Sequence, residues 1–389
     1  MAGPLRIAVI GTGFAAHFHL ASYRKVYGES FEIAAVCGRN GAAAAALAGE
    51  YGIARIEREW QAVLADPGVD AVDFCVPNDL HVPLILAAAR AGKHIICEKP
   101  LGGYFGPADA DADWSAEGFP RQAMLDAVAA QARQVREAVA QAGITFCYGE
   151  NWVHAPAIAK LDRLMSASNS AILRIEGEES HSGSHAGYSR RWRTAGGGSL
   201  LRLGVHPIAA ALWLKQQEGR RRDGVPIRPA RVSATTARLT GTAGFRAQQP
   251  RHVVDEWIDV EDFATVTIMF EDSTVAQLTS TDTRLGGIRN FLTAHGSRAQ
   301  VTANINPNTA CQAYTPDGRY FADEYLVEKT ETKEGWSFPA PDEDMITGYP
   351  EELRDFVGAI ANGRPPKSDL MLACDTLVLV YAAYLSAED

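Results

Sequence analysis

The run Gly11-Thr12-Gly13-Phe14-Ala15-Ala16 has the glycine spacing of a dinucleotide-binding turn. In such a turn Gly11 makes the tight bend, Gly13 lets the backbone approach a pyrophosphate, and Ala16 fills the third small position against a sheet. Thr12, Phe14 and Ala15 complete the loop and the first turn of the following helix, whose free N–H groups and positive dipole end favour phosphate. An ordinary strand-to-helix connection can share this pattern, so the reading depends on a strand before it and a helix after it. At the end of the second strand, where an acidic residue commonly binds the ribose hydroxyls, stand Gly38-Arg39-Asn40. No carboxylate there repels a 2'-phosphate, and Arg39 either pairs with that phosphate, lies over the adenine, or is a solvated loop residue. NAD is the expected cofactor, with NADP left open.

A second cluster, Ser180-His181-Ser182-Gly183-Ser184-His185, offers hydroxyls and imidazoles suited to sugar hydroxyls, which makes His181 and His185 candidate substrate ligands. As a metal site it is weak, because Gly183 and the serines disfavour a helix and no third ligand is evident. Six cysteines show no paired spacing and no Cys-x-x-Cys, so they read as buried free thiols, and no metal is expected. No Gly-x-Ser-x-Gly elbow marks a serine hydrolase.

The elements around these residues alternate. Leu5 to Ile10 and Phe31 to Cys37 are continuous apolar runs of the kind that parallel strands buried on both faces require. Ala71 to Val76, ended by Pro77, and His94 to Cys97 follow the same pattern. Helical stretches fall around residues 16–26, 41–50 and 80–91. This βαβ repetition favours a right-handed, doubly wound parallel sheet, a Rossmann fold. Gly102 to Phe119 reads as an inserted loop near the cofactor edge, Arg121 to Ala142 as a helix, and Ile144 to Tyr148 as the closing strand. Beyond residue 150, the segments Ala171 to Glu176, Val232 to Leu239, Ala264 to Phe270, Val275 to Ser280 and Asn290 to His295 show partial alternation and β-branched residues. Glu271-Asp272-Ser273 is a hairpin turn in this reading. The expected organisation is α/β: a Rossmann domain over residues 1–149, then an α+β domain over residues 150–389 with a large, mostly antiparallel open sheet. Helices over Glu351 to Ile360 and Leu370 to Ser386 pack back on either domain.

Length and charge narrow the function. A chain of 389 residues exceeds one ordinary core. A net charge of −10 argues against a duplex nucleic-acid surface and favours a small-molecule substrate. Met1-Ala2-Gly3-Pro4 leads straight into the first strand without an export signal, and no apolar run is long enough to span a bilayer. A cytoplasmic location is expected, without membrane or nucleic-acid partners.

Cys97-Glu98-Lys99-Pro100 follows the fourth strand. Together with the glycine motif, Pro77-Asn78-Asp79-Leu80-His81 and Ala91-Gly92-Lys93-His94, it resembles the family named for glucose-fructose oxidoreductase, inositol dehydrogenase and a rhizopine-catabolism protein. The resemblance is close over the N-terminal domain and looser to the C-terminus. It implies that Glu98, Lys99 and Pro100 lie beside the nicotinamide, with Pro77, Asn78, His81 and Asn151 also on the cofactor side. It also implies that Lys99 polarises or deprotonates the reacting hydroxyl; a lysine near another cation or partly desolvated can take part in proton transfer. Trp192-Arg193, the glycines 196–198 and Gly204-Val205-His206 are similar to the family's Trp-Arg, glycine-triplet and substrate-histidine run. They make His206 the proton partner of Lys99, and place Trp192 and Arg193 at the cofactor, with Arg193 and His154 also reaching the substrate. The family often has aspartates four residues before and three after that histidine, where this chain has Arg202 and Ala209. A cation at position 202 implies an anionic substrate such as a uronate, a sugar phosphate or a sulfonated sugar.

Three functions follow. The first is a nicotinamide-dependent sugar dehydrogenase acting on a secondary hydroxyl. The second is a glycosidase that transiently oxidises sugar C3, eliminates the aglycone, adds water and returns the hydride, a sulfoquinovoside being one fitting substrate. The third is a non-catalytic nucleotide-binding sensor. A homo-oligomer, dimer or tetramer, through the C-terminal sheet is expected.

Overall fold

A computed structural model describes residues 3–306, 311–330 and 332–388. The first half of the chain alternates β1 (Leu5–Ile10), α1 (Phe14–Tyr23), β2 (Phe31–Cys37), α2 (Gly41–Tyr51), β3 (Ile56–Glu57), α3 (Trp60–Ala65), β4 (Ala71–Phe74), α4 (His81–Arg90), β5 (His94–Glu98), α5 (Arg121–Ala142) and β6 (Phe146–Gly149). Its strands pair in parallel in the order β3-β2-β1-β4-β5-β6. The order reverses between β1 and β4, which opens a crevice at the carboxyl ends of those strands, directly before Gly11. Continuous burial of β4 and β6 matches their mainly apolar runs, since helices cover both faces; Asp73 is the one charged residue buried in β4.

The second half comprises α6 (Pro156–Ala167), β7 (Ile172–Ser180), α7 (Trp192–Ala195), α8 (Ser199–Arg202), α9 (Val205–Asp223), β8 (Pro229–Ala237), α10 (Ala243–Arg246), β9 (Phe263–Phe270), β10 (Val275–Thr281), β11 (Arg289–Gly296), β12 (Gln300–Asn304), α11 (Glu343–Thr347), α12 (Tyr349–Asn362) and α13 (Leu370–Ser386). The sheet order is β12-β11-β7-β10-β9-β8, antiparallel throughout except for the parallel pair β7 and β10. Along β9, Ala264, Val266, Ile268 and Phe270 are buried while Thr267 and Met269 are exposed, so one face is core and the other stays open.

The two C-terminal helices join the halves. Leu353, Phe356, Val357 and Ile360 of α12 share a core with Leu5, Ile7 and Val9 of β1, and α13 packs on α5, α9 and β8. Strand β12 is an addition to the expected set: only Ala303 of its five residues is buried, so it carries little apolar signal. The 102–119 segment forms no regular element; Tyr104, Trp114 and Phe119 cluster within it, and the Tyr104 N–H donates to the Tyr381 hydroxyl at 2.7 Å. Among the described residues no helix is long and apolar enough to cross a membrane.

Candidate active site

A cavity of about 280 Å³ lies between the crevice of the parallel sheet and the inner face of the second sheet. Phe14, Asn78, Lys99, Pro100 and Asn151 line it from one side, and Glu179, His181, Arg202, His206 and Asn290 from the other.

Lys99 follows β5, whose last residue, Glu98, is pinned from beneath. His19 of α1 lies fully buried between two carboxylates, with Nδ1 2.8 Å from Asp73 and Nε2 3.0 Å from Glu98. Burial disfavours the imidazolium, but Asp73 outweighs it and holds His19 well above the ordinary histidine range. Burial likewise opposes ionisation of Glu98, and the hydrogen bond and charge of His19 overcome it, leaving that carboxyl below its usual value. The other Glu98 oxygen accepts the Lys99 backbone N–H at 3.0 Å. The chain end of β5 is thus fixed, and the Lys99 ammonium reaches across the cavity to the Arg202 carbonyl at 3.0 Å.

His206 begins α9. Its Nδ1 is 2.7 Å from Oε1 of Glu150, a fully buried carboxylate one residue past β6, and its ring stacks on Trp152 with centroids 5.9 Å apart and planes 15° apart. Nε2 is the nitrogen left without a partner among the described residues. The site therefore holds a lysine ammonium and an oriented imidazole on one cavity, the pair needed to manage the proton of a hydroxyl undergoing oxidation.

The glycine loop fits a dinucleotide. Gly11 has φ +129°, and a Cβ there would lie 2.0 Å from the carbonyl oxygen of Cys75 just after β4, so only glycine serves. A Cβ on Gly13 would meet no protein atom within 4 Å, which leaves the approach to the start of α1 open for a phosphate. Thr12 packs under Gly38, Ala15 is half-buried against the core, and the Phe14 ring is 72% exposed at the cavity edge. Arg39 is exposed beyond β2, while Asn40 caps α2 by accepting the N–H groups of Ala42 and Ala43.

Several expected site residues lie elsewhere. His154 is buried, donates through Nε2 to Ser368 at 2.9 Å and packs edge-on to Phe356; it is a core residue, and burial pushes its pKa down to about 3. Trp192 is buried against Tyr384 and donates to the Tyr104 carbonyl at 2.9 Å, and Arg193 donates to the carbonyls of Phe105 and Ala110; both serve the 102–119 segment rather than the cavity. His81 is buried between the carbonyls of Pro100 and Val76, at 2.7 and 3.0 Å, and so positions the loops that bear Pro77 and Lys99 without reaching the cavity. His185 is exposed outside the lining, whereas His181 reaches it, with Nδ1 accepting the Gly183 N–H at 2.9 Å. Pro77 is exposed, and Asn78 and Asn151 hold backbone carbonyls of Ala195 and Thr347 at 3.1 and 2.8 Å.

Arg202 is at the cavity but is not a free cation. Its guanidinium pairs with the buried Asp282 and lies 4.9 Å from the Trp257 ring centroid. The charge that implied an anionic substrate is compensated within the protein. Sequence reasoning assigns no role to Glu150, Glu179, Asp282 or His19. Glu150, Asp282 and His19 act through partners far away in the chain, while Glu179 is placed at the cavity by the sheet alone; only the position of Glu150 directly after the last parallel strand gives a signal.

The sequence model described as "Oxidoreductase family, NAD-binding Rossmann fold" matches residues 5–114, and the "GFO/IDH/MocA C-terminal domain" matches residues 171–302. Levoglucosan dehydrogenase of Pseudarthrobacter phenanthrenivorans is 26% identical over 92% of this chain and 90% of its own. D-xylose 1-dehydrogenase (NADP(+)) 2 of Haloferax volcanii is 26% identical over 93% and 92%. Among solved structures, GenD2 from gentamicin A biosynthesis, in complex with NAD, superposes with a TM-score of 0.78 at 24% identity, covering 100% of this chain and 95% of that one. Levoglucosan dehydrogenase with NADH and L-sorbose superposes at 0.73 and 22% identity, covering 99% and 97%; both likenesses concern the fold.

Proposed function

This chain belongs to the GFO/IDH/MocA oxidoreductase family, and from that premise we propose that it oxidises a secondary hydroxyl of an uncharged carbohydrate, or reduces the corresponding ketone. The observation that carries the reading is the convergence of Lys99 and the Glu150-oriented His206 on one cavity beside the dinucleotide loop. The Gly11–Ala15 loop would hold the pyrophosphate of the dinucleotide, with Asn78, Pro100 and Asn151 near its nicotinamide, which would supply the hydride acceptor or donor. Lys99 hydrogen-bonds to the reacting oxygen, and its ammonium stabilises the charge that develops there. His206 takes the hydroxyl proton at Nε2, and Glu150 balances the imidazolium at Nδ1. Trp152 holds the imidazole plane in place during the transfer.

An uncharged substrate is favoured because Asp282 already neutralises Arg202. The experiment supplies NAD and NADP separately with levoglucosan, D-xylose, myo-inositol and methyl glucoside, each beside an anionic counterpart, and follows reduced nicotinamide and aglycone release together. Reduced cofactor with the neutral members supports the proposal. Release of aglycone without net reduction would establish the redox-neutral glycosidase instead, and tight cofactor binding without either product would establish a sensor. Cytoplasmic operation, where nicotinamide cofactors are abundant, and self-association through the open face of the second sheet are part of the same proposal; light scattering tests the latter.

A further inference from the structure

The inner face of the second sheet presents polar atoms that have no partner among the described residues. Glu179 of β7 stands directly opposite Asn290 of β11 and beside Ser280 of β10. Directly paired residues project from the same face with Cβ atoms about 5 Å apart, so the three side chains form one row. All are buried, with exposures of 7% for Asn290, 8% for Glu179 and 2% for Ser280. Asn290 Oδ1, Glu179 Oε2 and Ser280 Oγ each lack a hydrogen bond. Gly204 covers Ser280, whose hydroxyl would lie 3.0 Å from a Cβ placed there, whereas Glu179 and Asn290 open onto the cavity shared with Lys99 and His206.

Buried polar groups are almost always paired, so two acceptors left open at the catalytic cavity call for a donor that the protein does not supply. Burial pushes the Glu179 carboxyl up to about 7, with Glu150 and Glu328 adding to the rise and His206 and Lys99 opposing it. A carboxylate in this setting gains most from neutral hydroxyl donors, which satisfy its oxygens without adding charge. A cation would compete with Lys99 for the same space, and an anion would meet Glu179 itself.

We propose that Glu179 and Asn290 form the subsite that reads the hydroxyls flanking the oxidised carbon, the carboxylate accepting from two neighbouring hydroxyls of a polyol ring and the Asn290 oxygen from a third. The inference rests on the sugar-dehydrogenase reading and adds the residues that make the enzyme require a polyhydroxylated ring rather than any secondary alcohol. Discrimination follows from the same physics: a deoxy analogue leaves a buried acceptor unpaired, which penalises it far more than the loss of a methylene penalises an apolar ligand.

The test is binding of levoglucosan and myo-inositol, and of their monodeoxy analogues, to the enzyme–NADH complex, read by nicotinamide fluorescence. Wild type is expected to bind at least one parent compound and to discriminate against its deoxy analogue. Glu179→Gln keeps the shape and removes the charge; it is expected to weaken binding of the parent about 10- to 100-fold and to erase most of the discrimination, with NADH affinity unchanged. Asn290→Ala is expected to weaken it about 3- to 10-fold. Equal affinity of wild type and both variants for a parent that wild type binds overturns this inference alone. Failure of wild type to bind any parent overturns it together with the sugar-dehydrogenase reading.

Discussion

Glu150 Oε1 stands 2.7 Å from His206 Nδ1, deep enough that the carboxylate has no exposure to solvent. The pair joins the end of the parallel sheet, Glu150 after β6, to the start of α9, which bears His206, so the packing of these two elements assembles it. Glu150→Gln keeps the volume and removes the charge that stabilises an imidazolium. It should lower kcat about 100-fold or more with little change in NADH affinity, measured by steady-state turnover and fluorescence titration. Turnover near wild type would remove His206 from proton transfer.

The two loop glycines should fail differently. Gly11→Ala drives a methyl group to 2.0 Å from the Cys75 carbonyl and should depress the melting temperature sharply. A Cβ at Gly13 meets no protein atom within 4 Å, so the melting temperature of Gly13→Val in the absence of cofactor should stay near wild type while NAD and NADP affinity is lost. Calorimetry with both cofactors reads the difference; retained affinity in Gly13→Val would contradict the fingerprint.

Arg202 and Asp282 are both buried, at 8% and 0% exposure. Arg202→Met leaves the carboxylate without its cation and should cost about 3–5 kcal/mol of stability, whereas the double change with Asp282→Leu should recover much of it. Denaturant unfolding of the four proteins measures the coupling. A fully stable single variant that lost a preference for anionic over neutral sugars would return Arg202 to the role of a free substrate cation.

These contrasts show what a linear sequence reveals. The glycine loop and the buried parallel strands were legible because each is a local pattern: spacing in one case, unbroken apolar runs in the other. Lys99 and His206 were legible through motifs that surround them. The partners that set their behaviour were not, since Glu150 meets His206 only when the end of β6 packs against α9, and Asp282 meets Arg202 only when α8 packs on β10. Trp192 and Arg193 were misplaced for a related reason: the irregular 102–119 segment, which carries no periodicity, supplies the carbonyls that claim them.

His154 gives a pH dependence of stability. Its folded pKa of about 3 lies below the ordinary value of 6.5 because burial disfavours the cation. Between those values the unfolded chain binds a proton that the folded chain refuses, so this contribution is complete above about pH 6.5 and is lost as pH falls toward 3. His154→Gln retains a donor for Ser368 and removes the titration. The urea midpoint of wild type should therefore drop more between pH 7.5 and pH 5 than that of the variant; equal drops would contradict a neutral, buried His154.

The most direct measurement follows the hydride itself. A carbohydrate deuterated at its ring carbons, chosen from those that bind, is incubated with enzyme and NAD or NADP, and the nicotinamide is examined by mass spectrometry and NMR. Deuterium should arrive at nicotinamide C4 in wild type, and far more slowly in Lys99→Ala despite normal cofactor binding. A bound sugar that never passes its label to the cofactor, or transfer undiminished in Lys99→Ala, would contradict the assignment of this cavity as a Lys99-dependent hydride-transfer site.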